Sequence, residues 1–135
     1  MREILFKAKR IDNGEWVEGY LIKACQNTYP NGYEIIDKNG INYDELDCWQ
    51  PSFTSYEVDE KTICQYTGLV DKNGNKIWEN DIVSLCEDFY IITWEEDDAI
   101  FALEDVGLIE SFKNTDSKWC EVVGNTIDNP KFFNE

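Results

Sequence analysis

The sequence of 135 residues contains no histidine, which narrows the chemistry open to it. The chain therefore lacks the usual general base of serine and cysteine hydrolases and one of the two commonest zinc ligands. Cysteine, the other common zinc ligand, never occurs in a Cys-x-x-Cys pair. The phosphate-binding patterns GxxxxGK[ST] and GxGxxG are also absent. We therefore expect no catalytic residue, no metal and no cofactor.

Basic residues are scarce: 12 lysines and arginines face 28 acidic residues, for a net charge of −16. Such a surface repels phosphate backbones, so we expect no direct nucleic-acid binding. No apolar run approaches the roughly 18–20 residues of a membrane span. Met1-Arg2-Glu3 leads into a short strand-like run rather than a signal peptide. We expect a cytoplasmic protein without membrane contact, whose partner is a protein.

The five cysteines are odd in number and widely separated. This pattern favours small buried apolar residues in a reducing cytosol over a disulfide framework. The residues concerned are Cys25, Cys48, Cys64, Cys86 and Cys120.

Alternating apolar residues and Asn-Gly turns predict a mainly β fold of antiparallel hairpins with little helix. Residues 3–10 and 15–22 flank Asp12-Asn13-Gly14, and Asn73-Gly74 marks a second turn. The strands predicted after that turn cover residues 82–86, 89–94, 99–103 and 119–123. Five strands from about residue 64 onward are enough for a small SH3-like barrel, predicted here for the C-terminal half. We expect one domain over 1–135, or subdomains at 1–60 and 61–135.

Three sequence blocks stand out: EILFKAKR (3–10) with NGEWVEG (13–19), QYTGL (65–69) with Asp71, Asn73-Gly74, Ile77 and ENDIV (79–83), and EVVGN (121–125) with Asn129-Pro130. Together they resemble the YopX family of bacteriophage and prophage proteins. Trp78 stands where the family usually has tyrosine or phenylalanine, and Asn80 where it usually has glycine. The resemblance implies a mostly β protein of phage origin in a bacterial cytoplasm. It supplies no catalytic residues.

The central block, residues 65–83, contains a dense group of polar residues. Glu79 could act as an acid or base if burial raised its pKa, whereas Asp81 beside a tight turn could cap backbone amides. We favour capping. The predicted structural signature consists of Tyr66, Thr67, Gly68, Asn73, Gly74, Glu79 and Asp81.

Residues 87–112 contain nine acidic residues and no basic one. At its centre, Glu95, Glu96, Asp97 and Asp98 form a tetrad, hereafter the acidic tetrad. The tetrad lacks the alternate spacing and central glycine of an EF-hand loop. A solvated, solubilising surface is the favoured interpretation, with a face for a basic partner or a divalent-cation site as alternatives.

Five tryptophans are spread over the chain, and most are expected to pack in the core or between subdomains. Trp49 is the exception, because it lies in an irregular segment beside Pro51 and Phe53. The predicted interaction surface comprises Trp49, Phe53 and the acidic tetrad. The predicted function is a non-enzymatic phage accessory protein that binds proteins and self-associates as a homo-oligomer. An acidic DNA-mimic inhibitor and a metal-dependent enzyme using the acidic block are the alternatives.

Overall fold

A computed structural model of the chain describes residues 3–23, 32–39, 42–44, 47–105 and 108–133. Side chains are described throughout these ranges except at residues 42–44, 47–52 and 108. The described chain is mainly β, as the sequence predicted, and it divides into two compact units. The first unit comprises Glu3–Gln65, and the second begins at Tyr66.

The first unit is an antiparallel sheet built on the predicted N-terminal hairpin. Its strands are β1 (Phe6–Lys9), β2 (Trp16–Lys23), β3 (Tyr33–Asp37), β4 (Asn42–Asp44), β5 (Asp47–Ser52), β6 (Ser55–Glu57) and the start of β7 (Cys64–Val70). The sheet order is β6-β3-β2-β1-β7, and β4 pairs with β5 in a separate ladder. A 3-10 turn at Glu60–Thr62 leads into β7.

The core of the first unit follows from the alternation of its strands. Ala8, Val17, Ile35 and Val58 are buried, and β1, β2 and β3 each contribute one face to this cluster. Gly19 lies where β2 passes close to β3. A Cβ added there would sit 1.9 Å from the carbonyl oxygen of Ile36, so no side chain fits.

The second unit contains a hairpin and a five-stranded antiparallel sheet. Its further elements are β8 (Lys76–Trp78), β9 (Asp81–Leu85), β10 (Asp88–Glu95), β11 (Ile100–Asp105), β12 (Leu108–Ser111), α1 (Asn114–Ser117) and β13 (Glu121–Asn125). Beyond Gln65, β7 pairs with β8, and its register shifts between Tyr66 and Val70. The sheet order is β12-β11-β10-β9-β13, and the consecutive strands β9 to β12 pair antiparallel as hairpins.

The core of the second unit lies on one face of the five-stranded sheet. Its buried members are Ile77, Val83, Ile92, Phe101, Leu103 and Cys120. Cross-strand pairs place these side chains together, since Ile92 lies opposite Leu103 and Trp94 opposite Phe101.

The predicted SH3-like barrel is not confirmed. Strands β12 and β13 lie at opposite edges of the five-stranded sheet, and no pairing between the described strands joins them. Among the described residues, α1 is the one α-helix, and no helix there is long and apolar enough to cross a membrane.

Candidate functional site

Asp71 organises the turn between β7 and β8. Its Oδ1 accepts hydrogen bonds from the backbone N–H groups of Asn73 and Asn75, both at 2.9 Å. The N–H of Gly74 donates to the Asp71 carbonyl at 3.0 Å, with φ of Gly74 at +84°. An aspartate that binds its own following amides is the local chemistry that makes this turn tight.

The second oxygen of Asp71 reaches the last strand of the sheet. Oδ2 accepts a hydrogen bond from the backbone N–H of Val122 at 3.0 Å, and the residue is only 4% exposed. Burial raises the pKa of this carboxyl, but the hydrogen bonds from Val122, Asn75 and Asn73 outweigh it and lower the pKa below its ordinary value. Asp71 is therefore a charged structural anchor rather than an acid or base near neutral pH.

The tip of the same turn contacts the start of β13. The backbone N–H of Lys72 donates to the Cys120 carbonyl at 3.1 Å, and the Lys72 ammonium lies 3.7 Å from the Glu121 carboxylate. Burial, with the negative charge of Asp71 adding to it, raises the pKa of the Cys120 thiol to about 11. A thiol with so high a pKa is not a nucleophile at neutral pH.

Asp81 closes the turn between β8 and β9. It is 2% exposed, and its Oδ2 accepts a hydrogen bond from the backbone N–H of Trp78 at 2.9 Å. Asn80 adopts φ +72°, donates its N–H to the Ile92 carbonyl at 2.7 Å and accepts from the N–H of Thr126 at 2.9 Å. Asparagine tolerates this left-handed conformation better than most residues, so the turn retains its shape without glycine.

Thr67 spans the register shift in the β7–β8 hairpin. Its hydroxyl donates to the Ile77 carbonyl at 2.7 Å and accepts from the N–H of Leu69 at 3.2 Å. Both hydrogen bonds replace ladder bonds that the shift interrupts. Next to it, the rings of Tyr66 and Trp78 pack with centroids 5.3 Å apart.

The structure thus brings the predicted signature residues together in β7, β8 and the turns around them. Of these, Thr67 and Asp81 are buried and hydrogen-bonded to the backbone. Glu79 is half-buried in the turn after β8. Asp71, which the predicted signature did not include, is buried and hydrogen-bonded in the same way. This arrangement holds a hairpin and a strand edge in place.

The acidic tetrad lies at the tip of the β10–β11 hairpin. Glu96, Asp97 and Asp98 are exposed, and the turn is held by a hydrogen bond from the N–H of Ala99 to the Glu96 carbonyl at 3.3 Å. In the described part of the chain, no group of three or more acidic, cysteine or histidine side chains converges as a metal site.

A groove of about 320 Å³ opens beside the tetrad, a feature that sequence reasoning missed. Thr67, Leu69, Trp94, Ala99, Ile100, Phe101 and Phe112 line it. The rings of Trp94 and Phe101 meet edge to face with centroids 5.0 Å apart. The cross-strand pairing of Trp94 and Phe101 was the sequence signal that could have indicated this groove. The sequence does not show, however, where the core ends and the side chains become exposed.

The expectation that most tryptophans pack in the core is wrong. Trp78 is buried, but Trp94 is 40% exposed and Trp119 is 76% exposed. Phe53, in the first unit, is 55% exposed, as expected of a contact residue, and the side chain of Trp49 lies outside the described residues.

The cysteine expectation holds for only part of the described chain. Cys64 and Cys120 are buried, whereas Cys86 is exposed in the β9–β10 turn. The side chains of Cys25 and Cys48 lie outside the described residues.

Comparison with known proteins gave a match to a family model and a similarity to a solved structure. The family model described as YopX protein matches residues 6–134. The chain is also similar to the crystal structure of protein EF1440 from Enterococcus faecalis, with a TM-score of 0.65 and 23% sequence identity. That similarity covers 97% of this chain and 98% of the other, and it concerns the fold alone. No curated protein matches the chain.

Proposed function

The chain belongs to the YopX family, and from this premise we propose that it is a phage or prophage accessory protein of the bacterial cytoplasm. It acts by binding proteins, including further copies of itself, and not by catalysis. Its buried carboxylates support this role, because Asp71 and Asp81 accept hydrogen bonds from backbone amides.

The observation that carries self-association is Trp119. Its side chain is 76% exposed, and tryptophan is among the residues most enriched at interface hot spots. Trp119 lies two residues before β13, which forms an edge of the five-stranded sheet. We assign the self-association surface to Trp119 and the residues around it.

Sedimentation velocity over a wide concentration range tests this proposal. The parent protein should show a concentration-dependent oligomer, and Trp119→Ser should shift the association midpoint to higher concentration by about tenfold or more, the effect of a hot-spot residue. Ile4→Ser is the matched control, because Ile4 is a 58% exposed apolar residue in the first unit. A parent that stays monomeric at every concentration contradicts self-association. No observation on the described residues favours the DNA-mimic or the metal-dependent alternative, and both stay predictions.

A further inference from the structure

The groove beside Trp94 is an open end of the second unit's core. Phe101 at its base is 8% exposed, whereas Trp94 and Ile100 at its rim are 40% and 36% exposed. Leu69 and Phe112 line it as well. A volume of about 320 Å³ lies at the lower end of small-molecule pockets, which range over about 300–1,000 Å³. Such a space accommodates one large apolar side chain.

Acidic side chains flank the groove residues on β10 and β11. The acidic tetrad follows Trp94 directly in the chain, and Ala99, a groove residue, follows the tetrad. No ion pair within the described part of the chain involves these four carboxylates. They are therefore available to a basic group of another molecule.

We propose that this groove is a docking site for a basic peptide segment of a partner protein, with one large apolar side chain as the anchor. The anchor packs against the Trp94 and Phe101 rings that line the groove, and flanking lysines or arginines face the tetrad. The apolar groove supplies the affinity and the carboxylates supply the preference for positive charge and faster encounter. The inference rests on the proposed protein-binding role, but it does not require self-association.

A second copy of the chain is a poorer occupant of this site. Each copy carries a net charge of −16, so two tetrad surfaces repel each other. The tetrad alone is also insufficient, since exposed acids serve equally well as a solubilising surface. The adjoining aromatic groove distinguishes this acidic stretch from Glu87-Asp88, which lies at the opposite end of β10.

Selection from a yeast-displayed library of short random peptides against the full-length chain tests the proposal. The enriched peptides should contain a tryptophan, phenylalanine, leucine or isoleucine flanked by lysine or arginine. Their affinity should fall about tenfold or more on Trp94→Ser, as for an interface hot spot. Phe89→Ser is the matched control, because Phe89 is 42% exposed at the other end of the same strand. If Trp94→Ser does not fold, Ile100→Ser takes its place.

The contribution of the tetrad's charge to peptide binding is tested with two double variants that change the net charge by the same amount. Asp97→Lys with Asp98→Lys should weaken the selected peptides strongly, whereas Glu87→Lys with Asp88→Lys should leave the affinity within a factor of about two to three. Added salt should weaken binding to the parent, since screening acts over a Debye length of about 8–10 Å. Enriched peptides without basic residues, affinity insensitive to Trp94 and Ile100, or no enrichment would overturn the proposal.

Two further results separate this site from self-association. If Trp94→Ser abolishes the oligomer seen in sedimentation, the groove is the self-interface and the peptide proposal is wrong. If peptide selection fails while Trp119→Ser still weakens the oligomer, the groove inference falls and the proposed function stands.

Discussion

Asp71 and Val122 are 51 residues apart in the chain, yet the Asp71 carboxylate accepts a hydrogen bond from the Val122 amide at 3.0 Å. The same carboxylate binds two amides of its own turn. One side chain therefore fixes a local turn and joins it to the edge strand of the five-stranded sheet. This double role explains why an aspartate is buried here without a basic partner in contact: three backbone donors stabilise its charge.

Replacing Asp71 by asparagine should destabilise the second unit by about 1–3 kcal/mol, because at least one buried amide loses a charged acceptor. Asparagine has nearly the same shape, so the loss reports hydrogen bonding rather than packing. Urea unfolding followed by tryptophan fluorescence measures the difference. Asp128→Asn, at an exposed loop position, is the control. Equal stability of Asp71→Asn and the parent would contradict the anchoring role.

The Asp71 carboxylate should also make the stability of the protein depend on pH. Its pKa lies below the ordinary aspartate value of about 3.9, so the unfolded state takes up the proton first as pH falls. Its contribution to stability is present in full above the unfolded pKa, and it is lost as pH falls through the lower folded pKa. The free energy of unfolding should therefore differ between parent and Asp71→Asn at neutral pH, and this difference should shrink in acid. A difference that stays constant with pH would assign the loss to another cause.

Gly74→Val should cost about 1–3 kcal/mol, because a β-branched residue is strained at φ +84°. No atom lies within 4 Å of a Cβ built at this position, so a clash does not contribute. Gly74→Asn separates the two causes, since asparagine adopts the left-handed conformation more readily, and it should lose much less. Thermal melting of the three proteins compares them. An unchanged melting temperature in the valine variant would refute the conformational argument.

The fold should not depend on a bound metal ion. The chain contains no histidine and no paired cysteines, and structural metals are normally held by such ligands. Dialysis against a strong chelator should leave far-UV circular dichroism and the melting temperature unchanged. A large loss of either, restored by added zinc or calcium, would show that the protein needs metal.

The hairpins could be predicted because their signals are local. Asn73-Gly74 fits the turn after β7, and alternation located most of β9, β10 and β11 within a few residues. The predicted signature around the central turn included Thr67 and Asp81 but not Asp71. Asp81 was expected to cap backbone amides, and it accepts a hydrogen bond from the Trp78 N–H.

The long-range features could not be predicted from one sequence. The contact of Asp71 with Val122 depends on which strand lies beside the turn, and periodicity carries no such information. The exposure of Trp94 and Trp119 depends on where the sheet and its core end. The predicted barrel is not confirmed, because no pairing between the described strands joins β12 and β13 at the two edges of the sheet.

Reversing the charge of the whole acidic tetrad to lysine should leave the fold intact. Glu96, Asp97 and Asp98 are exposed, and surface substitutions away from specific contacts usually change stability by no more than about 0.5 kcal/mol. The variant should be less soluble near neutral pH, because its net charge lies closer to zero than the parent's −16. Melting temperature and precipitation by polyethylene glycol measure the two effects, with Glu87→Lys and Asp88→Lys as a control of the same charge type. A drop of many degrees in the melting temperature would mean that the tetrad is part of the fold. Unchanged solubility would mean that it is not a solubilising surface.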